Sequence, residues 1–150
     1  MTDREALARG FIAHLPFSRA LGLSLVLLGD GVAEIAMPWR EDLVGDPETG
    51  VVHGGAVFAL VDTAAGTAVM AHRAAPARAA TLGLRIDYMR PALSGQAITA
   101  RAECFHVARS VAFVRATASD GDPRPLATAV ATFTVEGLGE GPAAGRGTGA

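Results

Sequence analysis

From Gly54 to His72 the chain carries alanine, valine, leucine, methionine, phenylalanine or glycine at nearly every position, interrupted before the closing histidine only by Asp62, Thr63 and Thr67. The run reads as one helix. A helix that is apolar on every side is a buried helix. A membrane span would need about 18 uninterrupted apolar residues, and Asp62 stands near the middle of this one. The run therefore predicts the central helix of a soluble core, around which the rest of the chain has to wrap.

A carboxylate inside such a helix either finds hydrogen-bond partners or is pushed toward its neutral form by loss of water. Asp62 is open to two readings: a structural aspartate tied to neighbouring hydroxyls or amides, or a base working near neutral pH. The preceding His53-Gly54-Gly55 bears on the choice. The first N–H groups of a helix have no partner within it and carry the positive end of its dipole, which suits a carbonyl oxygen that becomes negative during reaction. Glycine also lets a substrate come close to that backbone. Alone, the same three residues fit an ordinary tight helix entry, with His53 as cap.

Spacing adds a constraint. At about 1.5 Å of rise per residue, Gly54 and Asp62 of one helix lie roughly 12 Å apart. One chain cannot easily aim both at a single carbonyl. A two-fold dimer with antiparallel helices can, each helix lending its N-terminus to the partner's Asp62. If both groups serve one substrate, the site lies between subunits.

With 150 residues, half of them hydrophobic, the chain has material for one core. A net charge of −2 leaves no footprint for nucleic acid or an anionic membrane. All 13 basic residues are arginine, a side chain suited to bidentate phosphate contacts. Cys104 is the only cysteine, so no intrachain disulfide and no cysteine-based metal cluster is expected. The 4 histidines include no pair at helical ligand spacing, which argues against zinc. The first residues include acids and lack a basic segment followed by an apolar one, pointing to the cytoplasm. The glycine- and alanine-rich stretch 137–150 reads as a flexible tail, leaving residues 1–136 as the domain.

Thr2-Asp3-Arg4-Glu5 resembles a capping box opening a helix through His14, with Leu7, Phe11 and Ile12 on one face and Pro16 ending it. Leu21–Leu28 and Val32–Met37 flank Gly29-Asp30-Gly31 as a β-hairpin, and 38–52 reads as an irregular loop. After the long helix, strands are expected over about 80–89, 96–106, 110–119 and 125–136. An α+β fold follows, a strongly curved antiparallel sheet wrapped around one helix.

His53-Gly54-Gly55 with Asp62, then Leu84-Arg85-Ile86-Asp87-Tyr88-Met89-Arg90-Pro91 and Ala108-Arg109-Ser110-Val111-Ala112-Phe113, resemble the hotdog-fold thioesterases of the phenylacetate-degradation (PaaI-like) type, over about 16–136. The resemblance implies a hotdog homodimer, usually paired into a tetramer, that hydrolyses acyl-coenzyme A at the dimer interface. It implies no metal and no cofactor, coenzyme A being part of the substrate. Carried over, the Gly54 amide polarises the thioester carbonyl and Asp62 of the partner acts as general base or nucleophile. Thr81 falls where similar proteins place a hydroxyl that helps hold the attacking water. His53 and Gly55 belong to the substrate-binding turn, and Arg90 and Arg109 are candidates for the phosphates of coenzyme A.

One departure stands out. Related enzymes often carry an asparagine six residues before the histidine; here that position is Pro47, beside Asp46, and the chain has no asparagine. A non-catalytic acyl-coenzyme A sensor or carrier on the same fold is the main alternative, and Asp62 is the residue that argues against it. An oligomeric interaction protein without a ligand is a third class, which the apolar groove expected between paired helices disfavours.

Overall fold

The computed structural model describes residues 2–139, so positions 140–150 of the expected tail lie outside the described residues. Half of the capping box forms: α1 (Asp3–His14) opens with the Thr2 hydroxyl accepting the Glu5 N–H at 3.2 Å, while the Glu5 carboxylate pairs with Arg9 at 2.8 Å in place of reaching back to Thr2. Its apolar face differs from the expected one. Ile12 is buried with Ala8 packed beside it, while Leu7 and Phe11 are exposed, because the face turned to the protein runs through positions 5, 8 and 12. Pro16 ends α1 and also opens a second helix, α2 (Pro16–Leu21), where its missing N–H costs nothing. Gly22, at φ 70°, closes α2 in the left-handed conformation, so the first strand begins at Ser24 and not at Leu21.

The hairpin follows as expected, β1 (Ser24–Gly29) pairing with β2 (Val32–Met37) across Asp30-Gly31. Ala33, Ile35 and Met37 point into the core, the alternation of a strand with one wet face. The stretch expected as irregular loop contains a single 3-10 turn (Glu41–Leu43) and a two-stranded ribbon, β3 (Val44–Asp46) with β4 (Val51–Val52). The ribbon ends in α3 (Gly54–Ala71), and β5 (Arg78–Tyr88), β6 (Ile98–Val107), β7 (Val111–Ser119) and β8 (Ala127–Glu136) complete the chain.

Six strands form one antiparallel sheet in the order β1-β2-β6-β7-β8-β5, and α3 packs across its inner face. Alanines at 100, 102, 112, 118 and 127 form much of that face, so the helix backbone can approach closely. Leu60 of α3, with 0% of its surface exposed, contributes about 1.5–3 kcal/mol by burial. Yet α3 is not buried on every side. The face through Val57, Leu60, Ala64 and Ala68 is covered, whereas Phe58, Asp62, Thr63 and Thr67 keep access to solvent in the single chain. Length and hydropathy alone would let this helix cross a membrane, but half of it is covered by the sheet.

Candidate active site

The β3–β4 ribbon sets the direction in which the chain enters α3. The His53 N–H donates to the Leu43 carbonyl at 2.8 Å, and Gly45 lies so close that a Cβ on it would meet the His53 Cα at 2.8 Å. His53 then caps the helix, its Nδ1 accepting the Gly55 N–H at 2.8 Å. An accepting Nδ1 puts the proton of the neutral ring on Nε2, as the hydrogen-bond network assigns it. Glycine at 55 leaves room for this cap: an added Cβ would sit 2.9 Å from that same Nδ1 and push the ring aside. The His53 carbonyl accepts the Ala56 N–H at 3.0 Å. The peptide carrying the Gly54 N–H is therefore polarised from its carbonyl side, while the N–H itself, first in the helix, points out of it.

Two turns on, Asp62 accepts a hydrogen bond from the Thr81 hydroxyl of β5 at 2.8 Å. The other α3 hydroxyls are spent on the helix itself, Thr63 on the Ala59 carbonyl at 2.8 Å and Thr67 on the Thr63 carbonyl at 2.7 Å. Asp62 thus has a single side-chain partner among the described residues, and Oδ2 is left open. Nearby, Asp46 is committed to its own turn. Its carboxylate accepts from the Thr49 hydroxyl at 2.6 Å and the Glu48 N–H at 3.1 Å, which holds its pKa below the usual carboxylate range. Both of its oxygens are thereby engaged within the turn beside Pro47.

The two arginines lie at opposite ends of the sheet. Arg109 sits in the β6–β7 turn, at the end where β5 carries Thr81, and no carboxylate pairs with it among the described residues. Arg90 follows the other end of β5 and turns inward. It grips Asp120 through two bonds, of 2.5 and 2.9 Å, and donates to the Arg124 carbonyl at 2.8 Å, with only 11% of its side chain exposed. That places Arg90 in an internal ion pair and not on a surface open to phosphate.

Sequence reasoning passed over Tyr88, whose hydroxyl donates to the Gly54 carbonyl at 2.6 Å. Although about half of the residue is exposed (49%), partial loss of water pushes its phenol above the ordinary value, so it remains a donor. No local pattern marks it, because its partner is 34 residues away.

The sequence profile of the thioesterase superfamily matches residues 49–127, the stretch containing the capped turn, Asp62 and Thr81. The chain belongs to the thioesterase superfamily. It is 30% identical to the medium/long-chain acyl-CoA thioesterase YigI of Salmonella typhimurium, over 83% of this chain and 88% of that protein. Among solved structures, a thioesterase family protein from Silicibacter pomeroyi superposes with a TM-score of 0.78 at 27% identity, covering 91% of this chain and 99% of that one. A mutant of the phenylacetic acid degradation protein PaaI from Thermus thermophilus superposes at 0.71 with 32% identity, covering 80% and 98%. The resemblance to PaaI-like hotdog thioesterases holds, as does the α+β hotdog fold, and as a superfamily member the chain is a thioester hydrolase.

Proposed function

We propose that this thioesterase hydrolyses acyl-coenzyme A at two composite sites of a homodimer, each built from the α3 N-terminus of one subunit and Asp62 of the other. One observation carries the reading. An outward helix-start N–H and a carboxylate held by Thr81 share one helix in a thioesterase-superfamily chain, yet stand roughly 12 Å apart along it. A neighbouring subunit closes that gap.

β5 supports the dimer. It is one of the sheet's two edge strands, 11 residues long against 6 for β1, with its outer backbone groups open to a second copy. Leu82, Tyr88, Met89 and Phe58 are exposed on it or beside it, an apolar collection of the kind that marks an interface. Two-fold pairing of β5 with its copy would continue the sheet and set the two α3 helices antiparallel. A pair of such dimers would make the tetramer.

In the composite site the Gly54 N–H donates to the thioester carbonyl and stabilises the charge that develops on its oxygen. Asp62 of the other subunit takes a proton from water as the water oxygen attacks the carbonyl carbon. The tetrahedral intermediate collapses with cleavage of the C–S bond; coenzyme A leaves as thiolate and takes up a proton, and the acid is released. Direct attack by Asp62 through a mixed anhydride uses the same geometry. The Thr81 hydroxyl fixes the carboxylate rotamer beside the water. Arg109, exposed and without a carboxylate partner among the described residues, is our candidate for a coenzyme A phosphate. No metal or further cofactor is needed for these steps.

Similarity to YigI makes medium and long acyl chains the first esters to test. The assay is thiol release from aryl, short-chain and long-chain acyl-coenzyme A by the wild type and Asp62→Asn. Turnover by the wild type and a loss of about two decades or more in kcat in the variant are expected. Undiminished turnover in Asp62→Asn would sink the assignment, and binding without thiol release would make the protein a carrier or sensor.

A further inference from the structure

β5 meets α3 at two points. Thr81 bonds Asp62 near the helix middle, and Tyr88 bonds the Gly54 carbonyl at the helix start. Side chains alternate faces along a strand, so positions 81 and 88, an odd number of steps apart, belong on opposite faces. A bulge reverses this. Thr81 stands opposite Phe133 but Gly83 stands opposite Thr132, so β5 carries one extra residue at this point. Thr81 before the bulge and Leu84, Ile86 and Tyr88 after it therefore share the inner face, where Leu84 and Ile86 pack against the core.

The peptide between Gly54 and Gly55 is held on both sides. Tyr88 donates to its carbonyl at 2.6 Å, and its N–H donates to His53 Nδ1 at 2.8 Å. Gly54 lacks a side chain, so no Cβ restrains its backbone rotations, and these two bonds add to the hold of the helix that begins there. A rotation there redirects the Gly54 N–H on the adjoining peptide. The Tyr88 ring lies against the same residue, 3.4 Å from where a Gly54 Cβ would be.

We propose that Tyr88 is a positioning residue for thioester hydrolysis: its hydroxyl locks the Gly54–Gly55 peptide and so keeps the Gly54 N–H aimed at the substrate carbonyl. The proposal rests on the reading of Gly54 as the carbonyl donor. Through the bulge, one strand holds both halves of the machinery, the carboxylate by Thr81 and the amide by Tyr88. A small change in the amide's direction weakens a contact made mainly in the transition state, so the effect belongs in kcat and not in KM.

The test is Tyr88→Phe, which removes one oxygen and keeps the ring. With wild type and variant compared as full-length oligomers of equal size and Tm, kcat on the best acyl-coenzyme A ester should fall about tenfold with KM within about twofold. A second readout does not depend on turnover. In protein labelled with 15N-glycine, a ketone analogue of acyl-coenzyme A, with methylene in place of the thioester sulfur, should shift the Gly54 amide proton strongly in the wild type and weakly in Tyr88→Phe. Unchanged kcat, or a parallel loss of Tm, KM and kcat that reports only on packing, overturns the proposal. Should the wild type release no thiol, the thioesterase reading of the site fails, and the amide shift decides separately: equal Gly54 shifts in both proteins overturn the positioning role.

Discussion

Replacing Arg90 by alanine should destabilise the protein without touching recognition of coenzyme A. Asp120 has 0% of its side chain exposed, and Arg90 meets it with two bonds while the Leu93 N–H supplies another at 2.7 Å. These contacts join the loop after β5 to the β7–β8 turn. Chiefly through the Arg90 guanidinium, the Asp120 carboxyl is held down at about 2, against an ordinary 3.8. That depression corresponds to about 2 kcal/mol of stability at neutral pH. Because the folded-state pKa is the lower one, this contribution is complete above about pH 4 and disappears as pH falls through about 2. Removing Arg90 does more than forfeit it, since an enclosed carboxylate is left without its partner, at a cost of about 3–5 kcal/mol. For a chain of this length the expected loss in Tm is about 10 °C. Thermal unfolding at pH 7 and pH 3 checks both parts: the gap between wild type and Arg90→Ala should be wide at pH 7 and narrower at pH 3, where Asp120 of the variant is protonated. A variant that melts within about 2 °C of wild type at pH 7, but shows a raised KM for coenzyme A esters alone, would refute the reasoning and return Arg90 to the substrate.

Two further outcomes follow from the site. Thr81→Val keeps the shape and deletes the hydroxyl that holds Asp62, so kcat should fall by about ten- to a hundredfold with the fold intact; steady-state kinetics beside a melting curve decide it, and unchanged kcat removes Thr81 from the site. Arg109→Ala should raise KM about three- to fivefold for a coenzyme A ester and leave the matching pantetheine ester unaffected, since only the former carries the nucleotide phosphates. Equal effects on both esters would place Arg109 elsewhere.

What the sequence made legible was the chemistry of neighbours. The Thr2 cap, the hairpin turn at Asp30-Gly31 and the His53-Gly54-Gly55 helix start all rest on contacts within a few residues, and each lies where the sequence places it, although the first hairpin strand starts at Ser24 and Glu5 turns to Arg9. Contacts between distant segments were hidden. Arg90 looked like a free cation until the fold set Asp120 beside it, and Tyr88 reaches Gly54 only because a bulge shifts the phase of β5, which no alternation of residue types announces. Leu7 and Phe11 misled because α1 carries two apolar stripes, and only the fold decides which of them faces the protein. The apolar sequence of α3 predicts a helix buried on every side, and the structure leaves one side open. Its solvent-accessible face, with Asp62 on it, is the face a second subunit would cover.

The shared site can be tested by complementation. Gly54→Pro deletes the N–H at a first helical position, where proline is tolerated, and His53, at φ −59° and ψ 132°, already has the extended backbone that a residue before proline needs. Mixed with Asp62→Asn chains, it gives heterodimers in which one composite site lacks both groups and the other keeps both. Each parent variant should be nearly inactive, and isolated heterodimers should regain about half the wild-type turnover, one intact site of two. Heterodimers proven by mass and still inactive would show that Gly54 and Asp62 act within one chain or not together, and the composite site would be contradicted.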